Sequence, residues 1–184
     1  MDHLPPEFLI SRVAASCLFT MTAASVKDSR QTIPKGPHVP TEDIRMLRAR
    51  LILEEALETI KALGIRIETV FSCEWIKDMK DVILLPGTQG SSIEDVIDGC
   101  CDTIYVATGT LCAFGVPDLP HLTEICKCND AKFPFGIALT DEHGKYLKPK
   151  GWKGPDHLRQ FSIGCDLSEI GRDLVKLAEK TITQ

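Results

Sequence analysis

Five carboxylates on two apolar, helix-like segments are the residues of this 184-residue chain best placed to do chemistry. Glu54, Glu55 and Glu58 lie in LRARLILEEALETIKALG, and Asp98 and Asp102 in SSIEDVIDGCCDTIYVATGTL. At roughly 100° per helical residue, Glu54 and Glu58 project one above the other with Glu55 beside them, and Asp98 and Asp102 stack in the same i, i+4 relation. Met46, Ala49, Ile52, Leu53, Ala56, Leu57, Ile60 and Leu63 fill the opposite arc of the first segment, while Leu47 and Leu51 share the side of Glu54 and Glu58. On the second, Ile93, Val96, Ile97, Cys100, Ile104, Ala107 and Leu111 form the main apolar arc, and Cys101, Tyr105 and Val106 crowd the aspartates. Both acidic faces are partly apolar, as expected of faces turned to a partner helix rather than to water.

No Lys or Arg occurs between Asp81 and Cys126, a window that holds Glu94, Asp95, Asp98, Asp102, Asp118 and Glu124. Two carboxylates about 4 Å apart repel by about 4 kcal/mol at an effective dielectric near 20, so a packed cluster must protonate or recruit a cation. All-oxygen donors suit magnesium, with manganese as the alternative, and such ions bridge to substrate phosphates. Downstream, Lys127, Lys132, Lys145, Lys148, Lys150 and Lys153 fall within 27 residues beside only Asp130, Asp141 and Glu142. Lysines there would neutralise a triphosphate that the acidic helices alone would repel. The competing reading makes Arg50–Glu54 and Glu58–Lys61 ordinary surface pairs, worth a few tenths of a kcal/mol each.

These residues carry a resemblance. E-E-x-x-E, followed after a connector by an acidic helix ending in D-x-I-Y-V-x-x-G-T, is similar to the all-α nucleoside triphosphate pyrophosphohydrolases, which include MazG-like and phosphoribosyl-ATP pyrophosphohydrolase proteins. The stretch ICKCNDAKFPFGIALTDEHGKYLKPKGWKGPDH resembles the tail of the phosphoribosyl-ATP pyrophosphohydrolase-like branch, and the likeness covers about residues 8–158. It implies that Glu54, Glu55, Glu58 and Asp102 are metal ligands and that Asn129, Lys132 and Lys153 contact substrate. The family's second motif is usually E-x-x-D, but Gly99 stands here at the glutamate position. Asp98, one residue earlier and pointing in an adjacent helical direction, is the expected substitute.

The fold implied is mainly α: a helical bundle with a short β-hairpin or strand elements, completed by a second subunit as a homodimer or homotetramer. One domain is expected over 1–184, with a core at about 8–158. The reaction implied is magnesium-dependent hydrolysis of a (deoxy)nucleoside triphosphate to the monophosphate and pyrophosphate, in nucleotide house-cleaning. Glu55 would be the general base. Phosphoribosyl-ATP is the alternative substrate, and a non-catalytic metal- or nucleotide-binding module the alternative class.

A net charge of −5 argues against a general nucleic-acid binder. None of the eight cysteines forms C-x-x-C, so reduced thiols and a cytoplasmic protein are expected. No run approaches the ~20 apolar residues of a membrane span. The five histidines have no partner at ligand spacing and are expected at the surface.

Helices are expected over about 7–27, from Thr41 to a stop at Gly64, from Ser91 or Ser92 to near Gly115, from Asp118 to Asn129, and over 166–180. IRIETVF at 65–71 reads as a strand, Glu74 to Leu85 as a short helix or a second extended piece, and Asp141 to Gly144 as a hairpin turn.

Overall fold

Periodicity of 3.6 residues, interrupted by glycine and proline, divides the chain into helices joined by one hairpin. The computed structural model describes residues 34–70, 75–142 and 144–160. The helices expected over 7–27 and 166–180 lie outside them. In chain order the elements are helix α1 (Glu42–Ala62), strand β1 (Ile65–Thr69), a 3₁₀ turn (Met79–Asp81), strand β2 (Val82–Pro86), helix α2 (Ile93–Ala113), helix α3 (Asp118–Asp130), a second 3₁₀ turn (Pro134–Gly136) and a short helix α4 (His157–Gln160). The protein is thus mainly α, with one two-stranded antiparallel sheet among the described residues, as the resemblance implied.

The chain divides into two compact units, one spanning Pro40–Thr110 and the other formed by the flanking segments. In the first, α1 ends where Gly64 takes φ of 73°, the left-handed conformation that glycine reaches at little cost, and its N–H returns to the Lys61 carbonyl. β1 then pairs with β2 from Ile65↔Pro86 to Thr69↔Val82. The segment before β2 resolves the sequence ambiguity, being a 3₁₀ turn and then a strand. Asp81 closes that turn, its carboxylate accepting the Lys77 and Asp78 N–H groups at 2.8 and 3.1 Å. Ser92 begins α2, its Oγ accepting the Asp95 N–H at 3.3 Å.

Where α1 meets α2, the contact is made of small residues. A Cβ built on Gly99 would lie 2.7 Å from Thr59 Oγ1 and 3.1 Å from Thr59 Cα, so only glycine lets the helices approach this closely. Thr59 Oγ1 donates to the Glu55 carbonyl at 2.7 Å and lies 3.2 Å from Thr103 Oγ1. At Gly99, where the resemblance led one to expect a glutamate, a longer side chain would have no room.

This seam is lined by the minority arc of α1. Leu47, Leu51, Glu55 and Thr59 are half-buried and Arg48 is buried, while Met46, Ile52, Leu53 and Leu57 are exposed. On α2, Val96, Thr103 and Val106 turn inward, whereas Ile93, Ile97 and Ile104 are exposed, Ile93 by 80% and Ile97 by 59%. The large residues of the two greasiest arcs, Leu53, Leu57, Ile93 and Ile97, thus remain exposed in the single chain, while Ala56, Ile60 and Val96 are half-buried.

In the second unit α3 starts at Asp118 and ends at Asp130, and Thr140 pairs with Tyr146 around the expected turn. Cys112 and Ala113 are the buried hydrophobic residues among those described. Reduced thiols throughout is corrected at Cys112, which is disulfide-bonded; Cys100, Cys101, Cys126 and Cys128 are free. Among the described residues no single helix is long and apolar enough to cross a membrane.

The seam makes a prediction. Gly99→Ala should destabilise the protein by about 1–3 kcal/mol in urea unfolding, because the added methyl overpacks the contact. Thr59→Ala in that background should recover part of the loss by removing the nearest atom. Independent, additive effects of the two changes would show that they do not meet.

Candidate metal and phosphate site

The seam sets the positions of the carboxylates. Thr59, Gly99 and Thr103 each directly follow an acidic residue, namely Glu58, Asp98 and Asp102. A side chain one residue before a seam position is rotated about 100° around the helix, which sets all three acids at its margin. Glu58, Asp98 and Asp102 accordingly line one open pocket of about 370 Å³, together with Asp95, Lys61 and Gln89. Glu54 and Glu55 are not in its wall.

Glu55 nevertheless lies in the field of the whole cluster. Partial burial, followed by the negative charges of Asp102, Glu58, Glu54 and Asp98, pushes its carboxyl above the ordinary glutamate value. Four of the residues singled out from the sequence thus act on the fifth, Glu55, from two helices. The pocket wall adds Asp95, which the sequence reading passed over although it lies at i−3 from Asp98 and i−7 from Asp102.

Glu54, Glu58, Asp98 and Asp102 are exposed in the single chain, so they do not occupy the semi-dry crevice that their apolar neighbours led one to expect. Among the described residues no three carboxylate, imidazole or thiol groups are gathered tightly enough to grip an ion. The donor set still fits a hard divalent cation, being all oxygen and strongly negative, with Lys61 the one cationic side chain in the wall.

Arg48 is a second residue the sequence reading missed. It is buried on α1 seven residues before Glu55; burial holds its guanidinium below the ordinary arginine value, with Tyr105 opposing. Helical spacing from Glu55 places it on that face, but nothing in its own neighbourhood marks it for burial.

Asn129, Lys132 and Lys153 belong to the other unit. Lys132 Nζ donates to Asn129 Oδ1 at 2.8 Å, so two of these three residues do meet, at the C-terminal end of α3. Lys153 lines a separate pocket with Trp152 and Lys127. In the same unit, the expectation that every histidine is a surface residue is corrected at His121. It is buried, and its Nδ1 lies 3.2 Å from His157 Nδ1. Thirty-six residues separate them, too far for local spacing to reveal.

Residues 23–128 match the family model of phosphoribosyl-ATP pyrophosphohydrolase. The match contains all five carboxylates and ends one residue before Asn129. No curated protein matches the chain.

The raised Glu55 pKa has a measurable consequence. The folded protein holds this proton to higher pH than the unfolded chain, so its stabilising contribution is complete below 4.5 and is lost as pH rises through the folded-state value. Glu55→Gln cannot lose it. Thermal melts of the metal-free protein should show a higher midpoint for Glu55→Gln at pH 7, and the two curves should converge toward pH 4.5. Equal midpoints at pH 7 would place Glu55 outside its neighbours' field.

Proposed function

The chain belongs to the phosphoribosyl-ATP pyrophosphohydrolase family, a group of pyrophosphohydrolases of nucleotide-like substrates within the all-α nucleoside triphosphate pyrophosphohydrolase superfamily, and from that premise we propose magnesium-dependent cleavage between the α- and β-phosphates of such a substrate. The supporting observation is the shared negative field on Glu55, inside the matched region. The family match favours phosphoribosyl-ATP as substrate. Simple (deoxy)nucleoside triphosphates are the second reading, favoured by the E-E-x-x-E and D-x-I-Y-V pattern that the wider superfamily shares.

In this proposal Glu54, Glu58 and Asp102 hold the ion and Asp98 assists, in place of the glutamate that Gly99 excludes. Magnesium, when bound, would supply Lewis-acid stabilisation of charge on the phosphate oxygens. Glu55 accepts the proton of the water attacking the α-phosphorus, because its surroundings raise its affinity for that proton. The water's oxygen forms the new bond to phosphorus as the bond to the bridging oxygen breaks, and pyrophosphate leaves. Asn129, Lys132 and Lys153 are proposed as substrate contacts that offset the leaving group's charge.

Self-association is part of the proposal, as homodimer or homotetramer. The exposed Leu53, Leu57, Ile93 and Ile97 are too apolar to be left in water.

Three measurements test this. A pyrophosphate-release screen should show magnesium-dependent turnover, with phosphoribosyl-ATP hydrolysed faster than dUTP or dCTP. Glu55→Gln should cost about 10²–10⁴-fold in kcat with the fold intact by circular dichroism. Leu53→Glu combined with Ile97→Glu should shift the protein to monomer in sedimentation. Absence of release from every substrate would leave a binding module instead.

A further inference from the structure

Three polar contacts tie residues 152–160 to α3. Trp152 Nε1 donates to the Cys128 carbonyl at 2.7 Å, the Asp156 N–H donates to Glu124 Oε1 at 3.4 Å, and the Nδ1 atoms of His157 and His121 lie 3.2 Å apart. As the chain runs forward from 152 to 157 its partners run back from 128 to 121, so this segment is a strap antiparallel to the helix. It leaves a tight turn in which the Trp152 N–H donates to the Pro149 carbonyl at 3.0 Å and Gly151 takes φ of 82°. A pocket of about 470 Å³ lies between the two, with Lys127 and Cys128 on one wall and Lys150, Trp152 and Lys153 on the other.

Of the three contacts, only the histidine pair changes character near neutral pH. An indole N–H does not titrate there, and a carboxyl group can accept from an N–H in either protonation state. Two Nδ1 atoms 3.2 Å apart form a hydrogen bond only when one carries a proton and the other a lone pair. Two neutral rings of opposite tautomer meet that condition. So does a charged His157 donating to a neutral His121. A second proton removes the acceptor, sets two N–H groups head to head and leaves two positive rings with centroids 5.2 Å apart.

His121 is buried and His157 half-buried, so the second proton is the one on His121. Burial, and then the charge on His157, hold the His121 imidazole below the ordinary histidine value. Asp118 and Glu124 stand one turn to either side of His121 on α3, and Asp156 and Arg159 flank His157. Two of these carboxylates already serve backbone groups of the strap, Glu124 the Asp156 N–H and Asp156 Oδ1 the Arg159 N–H at 3.1 Å.

We propose that the His121–His157 contact is an acid-released latch, which holds residues 152–160 against α3 while at most one ring is charged and frees the strap, opening the pocket beneath it, when both are. Once freed, the strap leaves both imidazoles in water, where they bind more protons below 6.5 than the docked pair does. Docking is therefore at full strength above that value and is lost as pH falls through the folded-state value of His121. Nothing in this depends on the carboxylate cluster or on hydrolysis.

Trp152 reports the position of the strap. The test uses the full chain with Trp75→Phe, which leaves Trp152 as its only indole, in EDTA so that no metal takes part. Acrylamide quenching of Trp152 should be low and constant above about pH 7 and rise several-fold by about pH 5, before most carboxylates titrate. Circular dichroism should stay unchanged over the same range, because the strap is released and the helices are not. His157→Gln keeps an amide to pair with neutral His121 but carries no charge, and should move the rise to lower pH. His121→Gln should abolish it. Glu124→Gln still offers an acceptor to the Asp156 N–H and should leave the midpoint in place. His157 is half-buried on a four-residue helix, so its variant decides the matter even where His121→Gln does not fold. Quenching that stays flat down to pH 5 would overturn the proposal. So would a midpoint unmoved by His157→Gln, or loss of helix together with the rise.

Discussion

Like charges do not assemble without restraint, and here the restraint is a contact between uncharged residues. Thr59 on α1 packs against Gly99 on α2, with the Thr59 and Thr103 hydroxyls 3.2 Å apart. Each of these residues directly follows an acid, so the seam that locks the helices also fixes where Glu58, Asp98 and Asp102 stand. Glu55 registers the result, its carboxyl held above the ordinary glutamate value first by burial and then by the neighbouring negative charges. The same seam explains why the family's usual glutamate is missing. A residue whose α-carbon must nearly touch a neighbouring backbone cannot also carry a long carboxylate.

Much of this could be read in the chain. The spacing of Glu54, Glu55 and Glu58, the Asp98–Asp102 pair and the cation-free window around them locate the acidic region, because helical geometry is local and charge is explicit in the sequence. Gly64 and Ser92 likewise mark helix ends through local backbone chemistry. Pairing over long separations could not be read. The His121–His157 contact spans 36 residues, and the burial of Arg48 depends on which face of α1 meets α2. Hydropathy alone favours the wrong face. It points to the arc of Leu53 and Leu57, whereas the chain buries the arc of Leu47, Leu51 and Thr59.

That inversion has a physical rationale. Small and hydroxylated residues allow two helices to approach closely within one chain, at the expense of apolar area buried there. Large side chains such as Leu53, Ile93 and Ile97 bury more area but hold helices further apart. A chain that keeps its small residues for the internal seam and its large ones outside has separated two tasks. The seam sets the geometry of the acids, and the exposed arcs retain most of the free energy still available from burial. On the proposed self-association, a second copy would cover those arcs without touching the seam that sets the acids.

The two units also divide the electrostatic labour. The Pro40–Thr110 unit carries the negative cluster, and the flanking unit carries the lysines that gather about Trp152. A polyphosphate needs both signs: cations to receive its oxygens, and carboxylates to hold the ion that lets it approach them. With a net charge of −5 spread over the whole chain, a uniform surface would repel any nucleotide. Gathering six lysines into residues 127–153 offsets this locally, because the field of a lysine cluster acts at short range whatever the sign of the total.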